Sequence, residues 1–498
     1  MLLWFAAIAA AQQPIRVETR LVEVNVIVHD KRGPVTDLKQ SDFRLFDNSK
    51  EQKIALFRMS QATPAASANK PPLPPGVFTN RYEDRSDPPV TATVLLIDLL
   101  NTDMLDQNYA KKQVEELLAK LTVDEPIAIY LLGQRLSVVQ DFTTDSQLLR
   151  KAAAGLQPQQ SVLLSESNTP TPIMPGGSGA TAEAIKQGFR EARTNANLER
   201  GGVTVDAFEQ IAQHLKRVPG RKNIVWVSGT FPYAPAKMTA LNEADVAINP
   251  VDARGLIAIP INPRDPSHVG LPGAPSGLDA IEKIAMNTGG KAFYNTNDIQ
   301  GAVQSALSDA QVTYTLAFYP QGVKYDGDFH TLRVTVDRSG LDVRSRAGYY
   351  DPADKPKVSI DPDIELRHAA DSPLDASLIG LIAAVAREGS QFKVAVQIAF
   401  QDLMVANAAP DNKDSHWNGA ADLAFVSQAA DGHMLNLASK ALTFDLTADW
   451  PQRAAILKSI GRWKTSMKLA IGLGALPRGC GAAGSSDSLW CDRSEEHP

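Results

Sequence analysis

Three short stretches combine side chains able to bind a ligand. They are Asp98-Leu99-Leu100-Asn101-Thr102-Asp103, Gly201-Gly202-Val203-Thr204 and Ser228-Gly229-Thr230. The first and third each follow an apolar run, and the second leads into a helical pattern. Their carboxylate, amide and hydroxyl groups make hydrogen bonds and offer oxygens of the kind that hard cations prefer. Asn101, Asp103 and Ser228 are expected to hydrogen-bond a bound partner.

Other motifs are accounted for without a site. Asp326-Gly327-Asp328 lacks the closing Glu of a calcium loop and reads as a hairpin turn. Gly176-Gly177-Ser178-Gly179 runs into Ala180, so the spacing of a nucleophile elbow is missing. Gly289-Gly290-Lys291 lacks the rest of a phosphate loop and reads as a helix cap. The eight His are scattered, with no pair at i,i+4. Arg217, Arg221 and Lys222 read as a solvated helix end, and Trp226 reads as core.

The elements that must position these stretches follow from periodicity. Residues 92–98 (ATVLLID), 127–132 (IAIYLL), 136–142, 222–228 and 244–253 are apolar runs typical of strands buried on both faces. Helical stripes alternate with them, clearest over 106–121, where Ala110, Val114, Leu117, Leu118 and Leu121 share a face. Two helices are expected over 180–197 and 204–217, separated at Gly201-Gly202, and two more over 277–290 and 297–310. This alternation across 91–310 predicts an α/β domain with a doubly wound, mostly parallel sheet, whose ligand loops lie at the carboxyl ends of the strands.

The flanks differ. Period-two alternation over 15–60 and 311–350 predicts antiparallel strands that could share one β-domain. Seven prolines between 61 and 90 predict an extended linker. Spaced strands over 357–473 read as a β-sandwich, while 474–498 has no periodicity and reads as a disordered or out-of-frame tail. Residues Leu2 to Ala11 are wholly apolar and end in Ala9-x-Ala11, so 1–11 is expected to be a signal peptide and the protein exported.

Composition narrows the classes. Hydrophobic residues make up 44% and charged residues 21% of the 498, the range of folded globular proteins. A net charge of -6 argues against a nucleic-acid partner. No internal run approaches the roughly 20 apolar residues of a membrane helix. Two Cys, at 480 and 491, exclude a disulfide scaffold and a Cys-rich zinc site.

The motif order DLLNT, PGRKNIVWVSGTFP, NPVDARGL, NTGGKAFYNTND and FHTLRVTV…LDVRSRAGYY, with LPPGVFTNR ahead of it, resembles the bacterial VWFA-related domain family. These are exported proteins with a von Willebrand factor type A-like domain, often seen in acidobacteria. The resemblance spans about residues 15–350. It implies a Rossmann-like type A fold and a metal-ion-dependent adhesion site. In the family that site is D-x-S-x-S after the first strand, a Thr from a later loop and a further Asp. It holds Mg²⁺ or another divalent cation that accepts a partner's carboxylate. Carried over, Asp98 matches the first Asp, Leu100 stands where the first Ser should be, and Thr102 replaces the second Ser. Thr204 matches the loop Thr, and Ser228 or Gly229 occupies the region of the last Asp. The resemblance therefore implies a degenerate metal site of Asp98, Thr102 and Thr204.

The leading expectation is a non-catalytic protein of the cell envelope, periplasm or exterior that binds a protein partner in an adhesion-type contact. A metal-dependent hydrolase using Asp98 is the second, with Asp103 or Asp206 as the nearby carboxylate base. A structural component of envelope assembly is the third.

Overall fold

The computed structural model describes residues 21–61, 73–84, 91–120, 126–169, 180–218, 220–232, 239–255, 277–296, 298–320 and 327–351, and beyond them 367, 369–377, 379–388, 391–399, 402, 406–407, 416–428, 434–447, 456–463 and 467–472. The expected signal peptide, the Gly176–Gly179 motif, Asp326 and the tail from 474 lie outside the described residues.

A five-stranded sheet forms the centre, in the order Val246–Asp252, Lys222–Ser228, Ala92–Asp98, Ile127–Leu132 and Leu136–Thr143. The first four strands are parallel and the last is antiparallel, so the sheet is mixed at one edge. The strands Ala92–Asp98, Lys222–Ser228 and Val246–Asp252 are buried at every position. Only cover on both faces allows that.

Among the described residues seven helices provide it: α1 Met104–Lys120, α2 Ser146–Ala154, α3 Val162–Asn168, α4 Ala180–Leu215, α5 Thr239–Glu243, α6 Gly277–Thr288 and α7 Ile299–Gln311. One face packs Ala110, Val114, Leu117 and Leu118 of α1, Leu149 of α2 and Val303 of α7 against Leu95, Ile97 and Val225. The other packs Phe208, Ile211 and Leu215 of α4 and Ile281 and Ile284 of α6 against Val94, Leu96 and Trp226. Each fully buried aliphatic side chain contributes about 1.5–3 kcal/mol.

Helix α4 corrects the expected two-helix reading. It is continuous for 36 residues and runs through Gly201-Gly202. Each mid-helix Gly costs about 0.5–1 kcal/mol relative to Ala. The buried stripe Ala196, Arg200, Thr204, Ala207, Phe208, Ile211 and Leu215 holds the helix together across them. Packing outweighs the local propensity.

The N-terminal strands and those after residue 311 pair with one another. Val22–Asp30 lies between Val312–Phe318 and Asp342–Ser345, and Val312–Phe318 also pairs with Leu56–Gln61. A second sheet joins Gly348–Tyr350, Phe329–Val336, Phe43–Asp47 and Lys50–Gln52. Val24, Val26, Phe43, Leu45, Tyr314, Leu316 and Phe318 fill the space between the two sheets.

Residues 77–84 are not simply linker. Val77–Thr79 forms an edge strand beside Leu381–Glu388, and Tyr82 is fully buried. Beyond 380 the strands Gln391–Ala399, His416–Gln428, Met434–Thr447, Ile456–Trp463 and Met467–Gly472 pair antiparallel in two sheets.

Both β-regions are tied to the amino ends of the central strands. Arg344 grips Asp309 near the end of α7 with bonds of 2.8 and 2.5 Å, and Arg346 donates to the Asn242 carbonyl just before strand Val246–Asp252. On the other flank, the Tyr82 hydroxyl meets His214 Nε2 at 2.7 Å, and His214 Nδ1 meets the Asp375 carbonyl at 2.7 Å. The expected solvated cluster of Arg217, Arg221 and Lys222 is part of this joint. Arg221 is 3% and Lys222 4% exposed. Arg221 donates to the Gly289 carbonyl and Asn223 Oδ1, Lys222 to the Val218 carbonyl, and Arg217 pairs with Asp402. The β-regions remove the water that a helix end alone would have kept.

Candidate functional site

At the carboxyl ends the same sheet offers Asp98, the last residue of its strand, at 1% exposure. Asp98 Oδ1 accepts from the Asn101 backbone N–H at 2.9 Å. Oδ2 is within 2.9 Å of three further donors: Asn101 Nδ2, Trp226 Nε1 and Ser228 Oγ. The Ser228 hydroxyl has one proton and also lies 2.8 Å from the Thr230 carbonyl, so it serves one acceptor at a time. Burial pushes the Asp98 carboxyl above its ordinary value, and the hydrogen bonds from Asn101, Ser228 and Trp226 oppose that push.

Asn101 binds the pieces together. Its Nδ2 donates to Asp98 Oδ2 and to Thr204 Oγ1, each at 2.9 Å. The Thr204 hydroxyl in turn donates to the Arg200 carbonyl at 2.8 Å, one turn back along α4. Thr102 Oγ1 accepts the Gly229 N–H at 2.9 Å, and Thr230 Oγ1 donates to the Asn101 carbonyl at 3.0 Å. Gly229 allows this approach: a Cβ there would stand 3.2 Å from the Thr102 Cα and 3.3 Å from the Asn101 carbonyl oxygen. Gln107 braces the loop from α1, with Nε2 within 3.1 Å of the Leu99, Thr102 and Gln159 carbonyls.

The structure thus draws Asp98, Asn101, Thr102, Thr204 and Ser228 into one network. Thr204 enters it from the middle of α4, not from a loop leading into a helix. Asp103 stands apart: it is exposed and its Oδ1 caps α1 by accepting the Leu105 N–H at 3.2 Å. Asp206 is exposed on α4 and accepts from Gln210 at 2.7 Å.

The residues present do not fit a divalent cation. The amide nitrogen of Asn101 occupies the place between Asp98 and Thr204 where a shared cation would have to sit. Asp98 has its oxygens committed to N–H and O–H donors, and Leu100 is an apolar, buried residue in the ligand series. A hard cation needs several free oxygens. Among the described residues no group of three or more His, Cys, Asp or Glu is arranged to hold a metal.

Sequence reasoning missed three contributors. Trp226 is core, wedged edge-on between Phe208 and Phe231 at 4.9 Å, but its indole N–H also serves Asp98. Gln107 and Arg200 are buried polar residues on the apolar stripes of α1 and α4. A polar residue at an apolar stripe position was the available clue. On the neighbouring strand end, Asp252 is 1% exposed and held by Arg254 through bonds of 2.9 and 2.7 Å. Hydrogen bonding to Asp252 raises the Arg254 guanidinium above its ordinary value.

No protein-family model matches the chain, and no curated protein matches it by sequence. The solved structures it resembles include an aerotolerance-related membrane protein from Bacteroides fragilis, at 15% identity and a TM-score of 0.26, covering 44% of this chain and 98% of that one. BatB, a conserved hypothetical protein from Bacteroides thetaiotaomicron, is similar at 14% identity and a TM-score of 0.26, with the same coverage. VWA2, the ArnB paralog of Sulfolobus acidocaldarius, is similar at 14% identity and a TM-score of 0.23, covering 63% of this chain and 81% of that one. Likeness at these scores decides nothing about function. Among the described residues no helix is long and apolar enough to cross a membrane.

Proposed function

We propose that the chain is a non-catalytic, exported binding protein that holds a protein partner on the carboxyl-end rim of a von Willebrand type A-like α/β layer. The observation that carries this reading is the asymmetry of the layer. The hydrogen bonds and ion pairs that tie both β-regions to it fall at the amino ends, whereas the rim around Asp98 presents exposed apolar side chains. Leu105 is 80% exposed and Met104 48%. Single exposed apolar residues are ordinary. Two side by side at the opening of α1, directly after the strand-end loop, make a surface that gains from being covered.

A hydrolytic reading is less well supported. It needs a base beside a reacting atom, and Asp103 and Asp206 point to helix contacts instead. Asp98 itself is committed to internal donors.

The test uses the full chain as bait in envelope extract at physiological salt. A double variant, Met104→Asp with Leu105→Asp, should lose a partner that the parent retains. Met286→Asp, an exposed apolar position at the end of α6, should keep it. No retention by the parent, or equal retention by both variants, defeats the reading.

A further inference from the structure

We infer that His330 Nε2 and the Asp351 carboxylate bind a divalent cation of the zinc class, with Asp47 orienting the imidazole. The site belongs to the sheet of Phe43–Asp47, Phe329–Val336 and Gly348–Tyr350 and does not depend on how the rim is used.

Strand period brings the residues together. Phe43 and Leu45 face the core between the two β-sheets, and Asp47 continues that inward alternation. Leu332 faces the same core, which puts His330, two residues earlier, on that face as well. Leu332 pairs with Asp47, and His330 pairs with Tyr349. Asp351 follows Tyr349 by two residues, and its N–H donates to the Asp328 carbonyl at 2.9 Å. Two acids, an imidazole and a phenol thus stand where the alternation calls for apolar side chains.

The bonding has a direction. His330 Nδ1 lies 2.9 Å from Asp47 Oδ1, and the Tyr349 hydroxyl donates to Asp47 Oδ2 at 3.1 Å. An ionised carboxylate only accepts, so the Nδ1 proton points at Asp47. Nε2 then turns its lone pair toward Asp351 Oδ2, 3.4 Å away. The Asp351 side chain is 1% exposed, and neither of its oxygens has a hydrogen-bond partner among the described residues. A proton held between the pair would draw it to about 2.7–2.9 Å. Two ligands of a tetrahedral Zn²⁺, each about 2.0–2.2 Å from the metal, stand about 3.4 Å apart. An imidazole anchored through its other N–H to a carboxylate is also how proteins orient a metal-ligating histidine. The described residues supply two ligand side chains, fewer than three. Water completes the shell on the His330 side, where 19% of that side chain is exposed. The bound ion neutralises Asp351 and ties the chain leaving Gly348–Tyr350 to the strand Phe329–Val336.

Zn²⁺ alone is the probe, titrated calorimetrically into the full chain after chelator treatment. One equivalent should bind, and the midpoint of thermal unfolding should rise by several degrees. Co²⁺ in its place should give the intense visible absorption of a tetrahedral ion. Mn²⁺, which favours oxygen ligands, should give no heat. Asp351→Asn and His330→Gln should each abolish the zinc heat, and Asp47→Asn, which keeps both ligands, should weaken binding about 10–100-fold. Circular dichroism of the variants without metal shows whether the fold is kept. If Asp351→Asn does not fold, His330→Gln carries the same reading. No zinc heat from the parent, an equal heat with Mn²⁺, or undiminished binding in a folded ligand variant would overturn the inference. A null zinc heat, together with a gain in stability on acidification that His330→Gln removes, would assign the gap to a proton, and the metal assignment falls.

Discussion

Asp98 and Asp309 are both buried carboxylates, at 1% and 0% exposure, at opposite ends of one sheet, and they are held by opposite means. At the amino end Arg344 clamps Asp309 with two bonds, and His29 Nε2 stands 3.8 Å away. The fully buried Arg221 also lies in the Asp309 field; burial lowers its guanidinium to about 10. At the carboxyl end, among the described residues, only neutral N–H and O–H groups hydrogen-bond Asp98, and Nε and Nη1 of Arg200 have no hydrogen-bond partner. A bidentate guanidinium fixes orientation as well as charge, which suits a permanent joint between layers. Neutral donors fix the loop without consuming the neighbouring cation, which suits a surface still to be met by another molecule.

The comparison breaks first at its strong end. Asp309→Ala removes the bidentate partner of Arg344 and leaves it, among the described residues, only the exposed Asp342 at 3.5 Å, a loss of about 3 kcal/mol in urea unfolding. An unchanged midpoint would mean that the joint contributes nothing. At the other end, Ser228→Ala removes one of the donors to Asp98 with little change in volume. It should cost about 1–3 kcal/mol in the same assay, less than Asp309→Ala. A larger loss at Ser228 would reverse the proposed contrast.

Titration sharpens it further, because the two ends bend stability in opposite directions. Burial lowers the His29 imidazole from 6.5, against the pull of Asp309. The unfolded chain therefore takes the proton first, and the contribution of His29 is whole above pH 6.5 and falls as the pH drops below it. Asp98 is raised from 3.8, so its contribution is greatest in acid and falls as the pH rises past 3.8 toward its folded value. His29→Gln should flatten the first slope and Asp98→Asn the second, as read by denaturant titrations across pH. Parallel curves for parent and variants would contradict both assignments.

The smallest expected signal tests why the rim carries no cation. Leu100→Ser alone should give no calorimetric heat with Mn²⁺, because the Asn101 amide still bridges Asp98 and Thr204. Leu100→Ser with Asn101→Gly opens that position and should show weak binding. Binding by the unaltered chain would remove the argument that the amide stands in for the ion.

Much of this was legible along the chain and some was not. The apolar runs at 92–98, 127–132 and 222–228 and the stripe of α1 lie where their periods put them. The antiparallel strand Leu136–Thr143 at the sheet edge had no separate mark, since an apolar run does not state its direction. Gly201-Gly202 read as a break because Gly is a poor helix former locally, yet the buried stripe continues on both sides of it, and Phe208, Ile211 and Leu215 pack it on the sheet. Arg221 and Lys222 read as solvated because nothing nearby in sequence shows that distant segments cover them, such as the Gly289 carbonyl that accepts from Arg221 and the Asp309–Arg344 pair beside it.

What the amino-acid order determined by itself was the alternation of buried strand and amphipathic helix, and with it the gathering of Asp98, Asn101 and Ser228 at one edge of a sheet. Those features depend on period and on the direction of neighbouring elements, which are local properties. What only the folded molecule decided was occupancy: that an amide fills the gap between Asp98 and Thr204, that Trp226 gives its N–H to the same carboxylate, and that Arg200 is left with donors to spare. Hydrogen-bond saturation is counted through space among residues more than 100 positions apart, and no pattern along a single strand or helix records it.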